Sequence, residues 1–277
     1  MTLIELANGY FVNIESSGQG EPLVLLHGFT GSARSWGEFG ARLTERFHVL
    51  AVDLAGHGQN DPSADFDHYT MTQCVADTVD AVGTLGFADA HWLGYSMGGR
   101  TALHVAAANP VAIRSLALIG ASPGLDCTED RLARRSADEV LAARIERDGV
   151  PPFIDYWENI PLFASQRALP PEQRERIRAG RLGNSSEGLA NSLRGMGAGA
   201  QEPLHNRLAT LTMPTLIMAG ELDQKYVEIG REMALVMPNA RFQVISGAGH
   251  SAQTERPVEC AASVIRFIES LDANREN

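Results

Sequence analysis

The sequence predicts an α/β fold: a mostly parallel sheet flanked by helices, with a helical lid insertion late in the chain. Three observations lead there. Short apolar, β-rich runs recur along the chain. Helical patterns alternate with them, as strand–helix–strand crossovers require. A long charged block without a convincing strand then interrupts the alternation.

The strand candidates are Tyr10–Ile14, Pro22–His27, His48–Asp53, Ala90–Tyr95, Ser115–Gly120, Thr215–Gly220 and Phe242–Ser246. Several are continuously apolar, which suits parallel strands covered on both faces. Helical patterns fill the gaps, in TMTQCVADTVDAVGTLG and GRTALHVAAANP. The second stops at Asn109-Pro110, because proline disfavours a helical residue before it. From Pro123 to His205 run RLARRSADEVLAARIERDGV, FIDYWENIPLF, PPEQRERIRAGRL and EGLANSLRGMG. The expected organisation is a core of residues 1–122 and 206–277 with a helical cap over 123–205. The tail ANREN is expected to fray.

Composition narrows the function class. With 277 residues and 44% hydrophobic content, the chain can bury a full core plus an insertion. A net charge of −11 disfavours nucleic acid and anionic lipid as partners, yet a locally basic pocket remains possible. Cys74, Cys127 and Cys260 are widely spaced and form no metal pattern, so they read as reduced thiols of a cytoplasmic protein. The stretch MTLIELANGYF lacks the basic and long apolar regions of a signal peptide. No run approaches the roughly 18 apolar residues that span a bilayer. No metal-ligand cluster or dinucleotide fingerprint is present, so neither metal nor organic cofactor is expected, and no obligate protein partner is evident.

Gly94-Tyr95-Ser96-Met97-Gly98 fits G-x-S-x-G. Alone the pattern is weak; here a strand ends directly before it and a helix starts directly after it. That setting places a serine on a tight, strained turn, with glycines allowing close helix–strand packing. A serine hydroxyl needs a histidine to accept its proton, and the histidine needs an acid to fix its tautomer. Two later strands end in Glu221-Leu222-Asp223 and Gly247-Ala248-Gly249-His250. Asp223 and His250 thus complete the order Ser, Asp, His at one sheet edge, with Glu221 as the rival acid. His205 and His104 are weaker candidate bases, the first late in the insertion, the second inside a helix. The Phe29 and Met97 backbone N–H groups are the expected oxyanion donors. His27 and His57 read as histidines that shape loops.

Arg100 follows Ser96 by one helical turn and is placed to project beside the serine. The insertion adds Arg131, Arg134, Arg135 and Arg181. Most charged residues on helices face solvent, but an inward-facing subset would bind carboxylates bidentately.

The ordered segments HGFTG, AGHG, GYSMGG, GELD and GAGH resemble those of the α/β-hydrolase superfamily. Ala55 departs from the proline common before the Gly-His-Gly. Within that superfamily, GYSMGGR together with PGLDCTEDRLARRSADEVLA, FIDYWENIPLFAS, AGRLGN and GLANSLRGMGAGAQEPL resembles the 2-succinyl-6-hydroxy-2,4-cyclohexadiene-1-carboxylate synthases. These are pyruvate-eliminating lyases of menaquinone and phylloquinone biosynthesis. The resemblance implies a Ser96–His250–Asp223 triad, carboxylate-binding roles for Arg100, Arg134 and Arg181, and pocket-lining roles for Tyr95 and Trp157. It implies an anionic small-molecule substrate bearing three carboxylates. Fold does not fix function, so two other readings stand beside it. One is a serine ester or C–C-bond hydrolase acting on a small carboxylated substrate. The other is a non-catalytic small-ligand receptor.

Overall fold

The computed structural model describes residues 2–61 and 65–272; the ANREN tail lies outside them. Strands β1 (Thr2–Glu5), β2 (Phe11–Ser17) and β3 (Glu21–Leu26) open the chain. Helix α1 (Gly37–Thr44), strand β4 (Phe47–Val52), helix α2 (Met71–Thr84), strand β5 (Ala90–Tyr95), helix α3 (Met97–Ala108) and strand β6 (Ile113–Ile119) follow. Strands β7 (Thr215–Gly220) and β8 (Ala240–Ile245) come later in the chain. The eight-stranded sheet has the order β1-β2-β4-β3-β5-β6-β7-β8. β1 and β2 run antiparallel to their neighbours, and the others pair in parallel.

The apolar runs are continuous because both sheet faces are covered. Val24, Leu26, Trp92 and Leu118 bury into one core cluster with residues of α2 and α3, such as Val75 and Leu103. The alternate residues Leu23, Leu25, Leu93 and Ile119 bury into another, with Phe39 and Leu43 of α1. That second cluster also takes Val264 and Ile268 from the C-terminal helix, Pro257–Asp272. Each fully buried leucine contributes roughly 1.5–3 kcal/mol by leaving water. β5 and β7 have the bounds that the sequence predicts, and α3 ends one residue before Asn109. β1 is absent from the sequence reading: four residues with one buried side chain, Ile4, carry too little pattern.

Between β6 and β7 lie α4 (Thr128–Asp148), α5 (Val150–Trp157), α6 (Pro171–Leu182) and α7 (Ser186–Met196). A 3-10 segment, Pro161–Ala168, joins α5 to α6. This helical lid has a small core of its own, in which Ile145, Phe153, Ile154 and Leu189 are fully buried. Phe29 of the β3 loop packs on that core, joining lid to sheet. Ser185 caps α7 by accepting from the Gly188 N–H at 2.8 Å.

Candidate active site

The serine turn explains its own glycines. Ser96 has φ 50° and ψ −109°, in the left-handed half of backbone space that a side chain rarely adopts. Its N–H donates to the Ile119 carbonyl at 2.9 Å, which ties the strained residue to β6. A Cβ on Gly98 would overlap the Leu26 carbonyl, and one on Gly94 would overlap the Gly98 carbonyl. The glycines therefore let α3 lie directly against β3 and β5, and that contact lifts Ser96 off the sheet edge.

His250 Nε2 lies 3.0 Å from Ser96 Oγ, and His250 Nδ1 lies 2.6 Å from Asp223 Oδ2. The His250 side chain is almost fully buried. Asp223 stands directly before helix α8 (Gln224–Val236). With Nδ1 carrying the proton, Nε2 is free to accept one from Ser96. Glu221 turns away: its carboxylate accepts from Ser246 Oγ at 2.9 Å and the Gly247 N–H at 2.8 Å. His27 is a loop brace. Its Nε2 accepts from the Leu54 N–H at 3.0 Å and its Nδ1 donates to the Gly28 carbonyl at 2.8 Å. Burial pushes its pKa down to about 4, so the ring stays neutral. His57 donates to the Ala55 carbonyl at 3.0 Å, and burial pushes it down to about 3.

Ser96 opens into a cavity of about 450 Å³ whose wall includes Phe29, Tyr95, Met97, Arg100, Arg134, Trp157 and Tyr226. Both residues expected to supply oxyanion N–H groups thus border the serine's own cavity. Arg134 is the member of its trio that lines this cavity; Arg135 instead binds the Gly199 carbonyl at 2.8 Å. Arg134 is held by Asp138 at 2.8 Å. Arg100 donates to the Met196 carbonyl at 2.8 Å and to the Gln201 side-chain oxygen. It forms no ion pair among the described residues, and burial pushes its pKa down to about 10, so it stays cationic at neutral pH. Arg100, Arg134 and Arg144 thus line this cavity with one carboxylate, Asp138, leaving a net positive lining in an acidic protein. The Trp157 Nε1 is buried without a hydrogen-bond partner among the described residues.

Arg181 is not brought together with them. It lines an adjoining cavity of about 770 Å³, which shares Phe29, Tyr95 and Phe163 with the first but does not include Ser96. Its guanidinium sits over the Phe163 ring, 4.9 Å from the centroid, with Glu158 3.7 Å and Gln166 3.3 Å away. Tyr95 stands between the cavities. Its hydroxyl pairs with Ser251 Oγ at 2.6 Å, and Gln166 donates to the same Ser251 oxygen at 2.8 Å.

Tyr226 is one cavity residue that sequence reasoning missed, as are Asp138 and Arg144. Its only signal was its spacing, three residues after Asp223 in the first turn of α8. Among the described residues no group of three or more His, Cys, Asp or Glu side chains is placed to hold a metal ion. No helix there is long and apolar enough to cross a membrane.

Residues 21–257 match the α/β hydrolase fold family. The chain is 38% identical over 262 residues to a candidate 2-succinyl-6-hydroxy-2,4-cyclohexadiene-1-carboxylate synthase of Bacillus subtilis (strain 168), covering 95% of each. It is 34% identical over 249 residues to the 2-succinyl-6-hydroxy-2,4-cyclohexadiene-1-carboxylate synthase of Enterobacter sp. (strain 638), covering 89% of this chain and 91% of that one. Among solved structures, MenH from S. aureus superposes with a TM-score of 0.88 at 32% identity, covering 94% of this chain and 98% of that one. A malate-bound thermophilic esterase from Thermogutta terrifontis superposes with a TM-score of 0.84 at 28% identity, covering 97% and 98%.

Proposed function

The chain belongs to the 2-succinyl-6-hydroxy-2,4-cyclohexadiene-1-carboxylate synthase family of the α/β-hydrolase fold, and from that premise we propose how its residues carry out the family's reaction. The enzyme eliminates pyruvate from 2-succinyl-5-enolpyruvyl-6-hydroxy-3-cyclohexene-1-carboxylate. The product is 2-succinyl-6-hydroxy-2,4-cyclohexadiene-1-carboxylate, in menaquinone and phylloquinone biosynthesis. The observation that carries this reading is a complete proton relay opening into a cavity whose wall includes Arg100 and Arg134.

Asp223 holds His250 in the tautomer that accepts at Nε2. His250 takes the Ser96 proton as Ser96 Oγ removes the ring proton beside the succinyl carbonyl. The enolate oxygen that forms is met by the Phe29 and Met97 N–H groups. The electron pair moves through the ring double bond and breaks the ring C–O bond, and the departing enolpyruvate oxygen takes the proton held by His250, so pyruvate leaves as its enol. No acyl-enzyme forms and water is not a reactant. Arg100 and Arg134 bind substrate carboxylates beside the serine, each pair contributing about 1.5–3 kcal/mol. Arg181 reaches a carboxylate from the adjoining cavity, past Tyr95. Trp157 and Tyr95 line the substrate's path. We place the enzyme in the cytoplasm, acting on a small anionic substrate without a nucleic-acid, membrane or obligate protein partner; its net charge of −11 argues against nucleic acid and anionic membrane.

The resemblance to an esterase keeps hydrolysis as the rival chemistry for the same relay. Both are tested by following pyruvate release and diene formation beside p-nitrophenyl acetate hydrolysis, with wild type and Ser96→Ala. Fast pyruvate release that Ser96→Ala abolishes, with little ester turnover, is expected. Rapid ester hydrolysis without pyruvate release would overturn the elimination.

A further inference from the structure

Among the polar side chains of the reaction cavity that neither the proton relay nor Arg100 and Arg134 uses, Tyr226 stands beside the relay histidine. Tyr226 lies in the first turn of α8, and its N–H donates to the Asp223 carbonyl at 3.0 Å. Its ring packs beside His250, with centroids 4.6 Å apart and planes tilted by 50°. It borders the same cavity as Ser96, Arg100 and Arg134. Its hydroxyl makes no hydrogen bond to any described residue. Burial pushes the phenol's pKa up and Asp223 acts in the same direction, while Arg100 and Arg134 act against them. The group is therefore a neutral donor at physiological pH.

A tyrosine hydroxyl that borders a cavity without a protein partner is free to donate to whatever occupies that cavity. The neighbouring charges decide what that is. Arg100 and Arg134 draw an anion into this corner. Asp223 is committed to His250 at 2.6 Å and does not compete for the phenol.

We propose that Tyr226 is a substrate-binding residue whose hydroxyl donates a hydrogen bond to a carboxylate held by Arg100 and Arg134. The three groups come from separate elements, α3, α4 and α8, so they converge on the anion from different directions. The ring meanwhile limits the motion of the His250 imidazole. The carboxylate is thereby tied at a fixed place relative to the proton-accepting edge of the relay.

This inference rests on the cavity being an anion site and can be tested apart from elimination. The probe is 4-oxo-4-phenylbutanoate, a succinyl arm on a ring, titrated into Ser96→Ala and Ser96→Ala/Tyr226→Phe beside its methyl ester. Phenylalanine keeps the ring, and matching thermal unfolding of the two proteins checks that the fold is intact. The acid is expected to bind about 10-fold more weakly without the hydroxyl, the loss of one hydrogen bond to a charged group. The ester is expected to bind the two proteins alike. Equal binding of the acid to both proteins overturns the proposal. Equal weakening of acid and ester overturns it too, because that is the signature of lost packing. Failure of the acid to bind either protein removes the anion corner itself. If the acid binds through Tyr226 while wild type releases no pyruvate, the elimination reading fails and this one stands.

Discussion

The two halves of the reaction cavity are built on different principles. At the sheet edge the triad side chains pair with one another. Ser96 meets His250 at 3.0 Å, and His250 meets Asp223 at 2.6 Å. The turns that carry them are locked by glycines that no larger residue can replace without overlap. Facing the lid, the cations are only partly satisfied. Arg100 rests on a backbone carbonyl and an amide, and Arg134 on a single carboxylate. The first half moves a proton between fixed atoms; the second keeps unspent hydrogen-bonding capacity for a ligand. Rigidity sits where the chemistry needs alignment, and incomplete pairing sits where a substrate must displace something.

The sharpest break in this comparison is at the acid. Asp223→Asn is expected to lower kcat about 10³–10⁴-fold by leaving the imidazole in the wrong tautomer. Glu221→Gln, one turn away and bound to Ser246 and Gly247, is expected to leave kcat near wild type. Steady-state pyruvate release on both variants decides which carboxylate the relay uses, and a reversed outcome would reassign the acid.

The next effect concerns stability under the sheet-edge half. The folded chain holds His27 neutral down to about pH 4, against an ordinary value of 6.5. Between those values the unfolded chain binds a proton that the folded chain refuses. Stability therefore falls as pH drops from about 6.5 to about 4, and His27 accounts for roughly 3 kcal/mol of that fall. His27→Gln keeps an acceptor for the Leu54 N–H, and urea unfolding at several pH values should show a flatter dependence for it. An unchanged slope would trace the acid sensitivity to other groups.

The lid-facing half is sharpened by Arg100→Ala. Losing a charge-assisted contact of about 1.5–3 kcal/mol predicts a fall in kcat/KM of roughly 10- to 150-fold. Because the side chain also bridges to Met196 and Gln201, thermal unfolding must be measured alongside. A loss of stability with unchanged kcat/KM would make Arg100 a strut between α3 and the lid.

Legibility follows the same division. Ser96, Asp223 and His250 were readable because each follows a parallel strand, and parallel strands deliver their C-terminal ends to one edge. The apolar runs were readable as buried strands, and the helix stop at Asn109-Pro110 follows from the local sterics of proline. β1 escaped because four residues with one inward side chain show no period. Arg181 was grouped with Arg100 and Arg134 through the family resemblance, and in the fold it lines the neighbouring cavity. Tyr226 looked like any aromatic at the start of a helix.

The sequence by itself determined the α/β alternation, the strained serine turn, the order of the relay and the presence of a helical insertion. Each is set by contacts within a few residues or by a periodicity that repeats along the chain. Only the tertiary structure decided which arginine of the Arg131, Arg134 and Arg135 trio lines the serine's cavity. It also decided that Tyr95 stands between two cavities, and that Tyr226 borders the same cavity as Arg100 and Arg134. Those outcomes depend on the rotation and packing of lid helices against α3 and α8. No local rule encodes them, because they arise from side chains far apart in the chain competing for the same space.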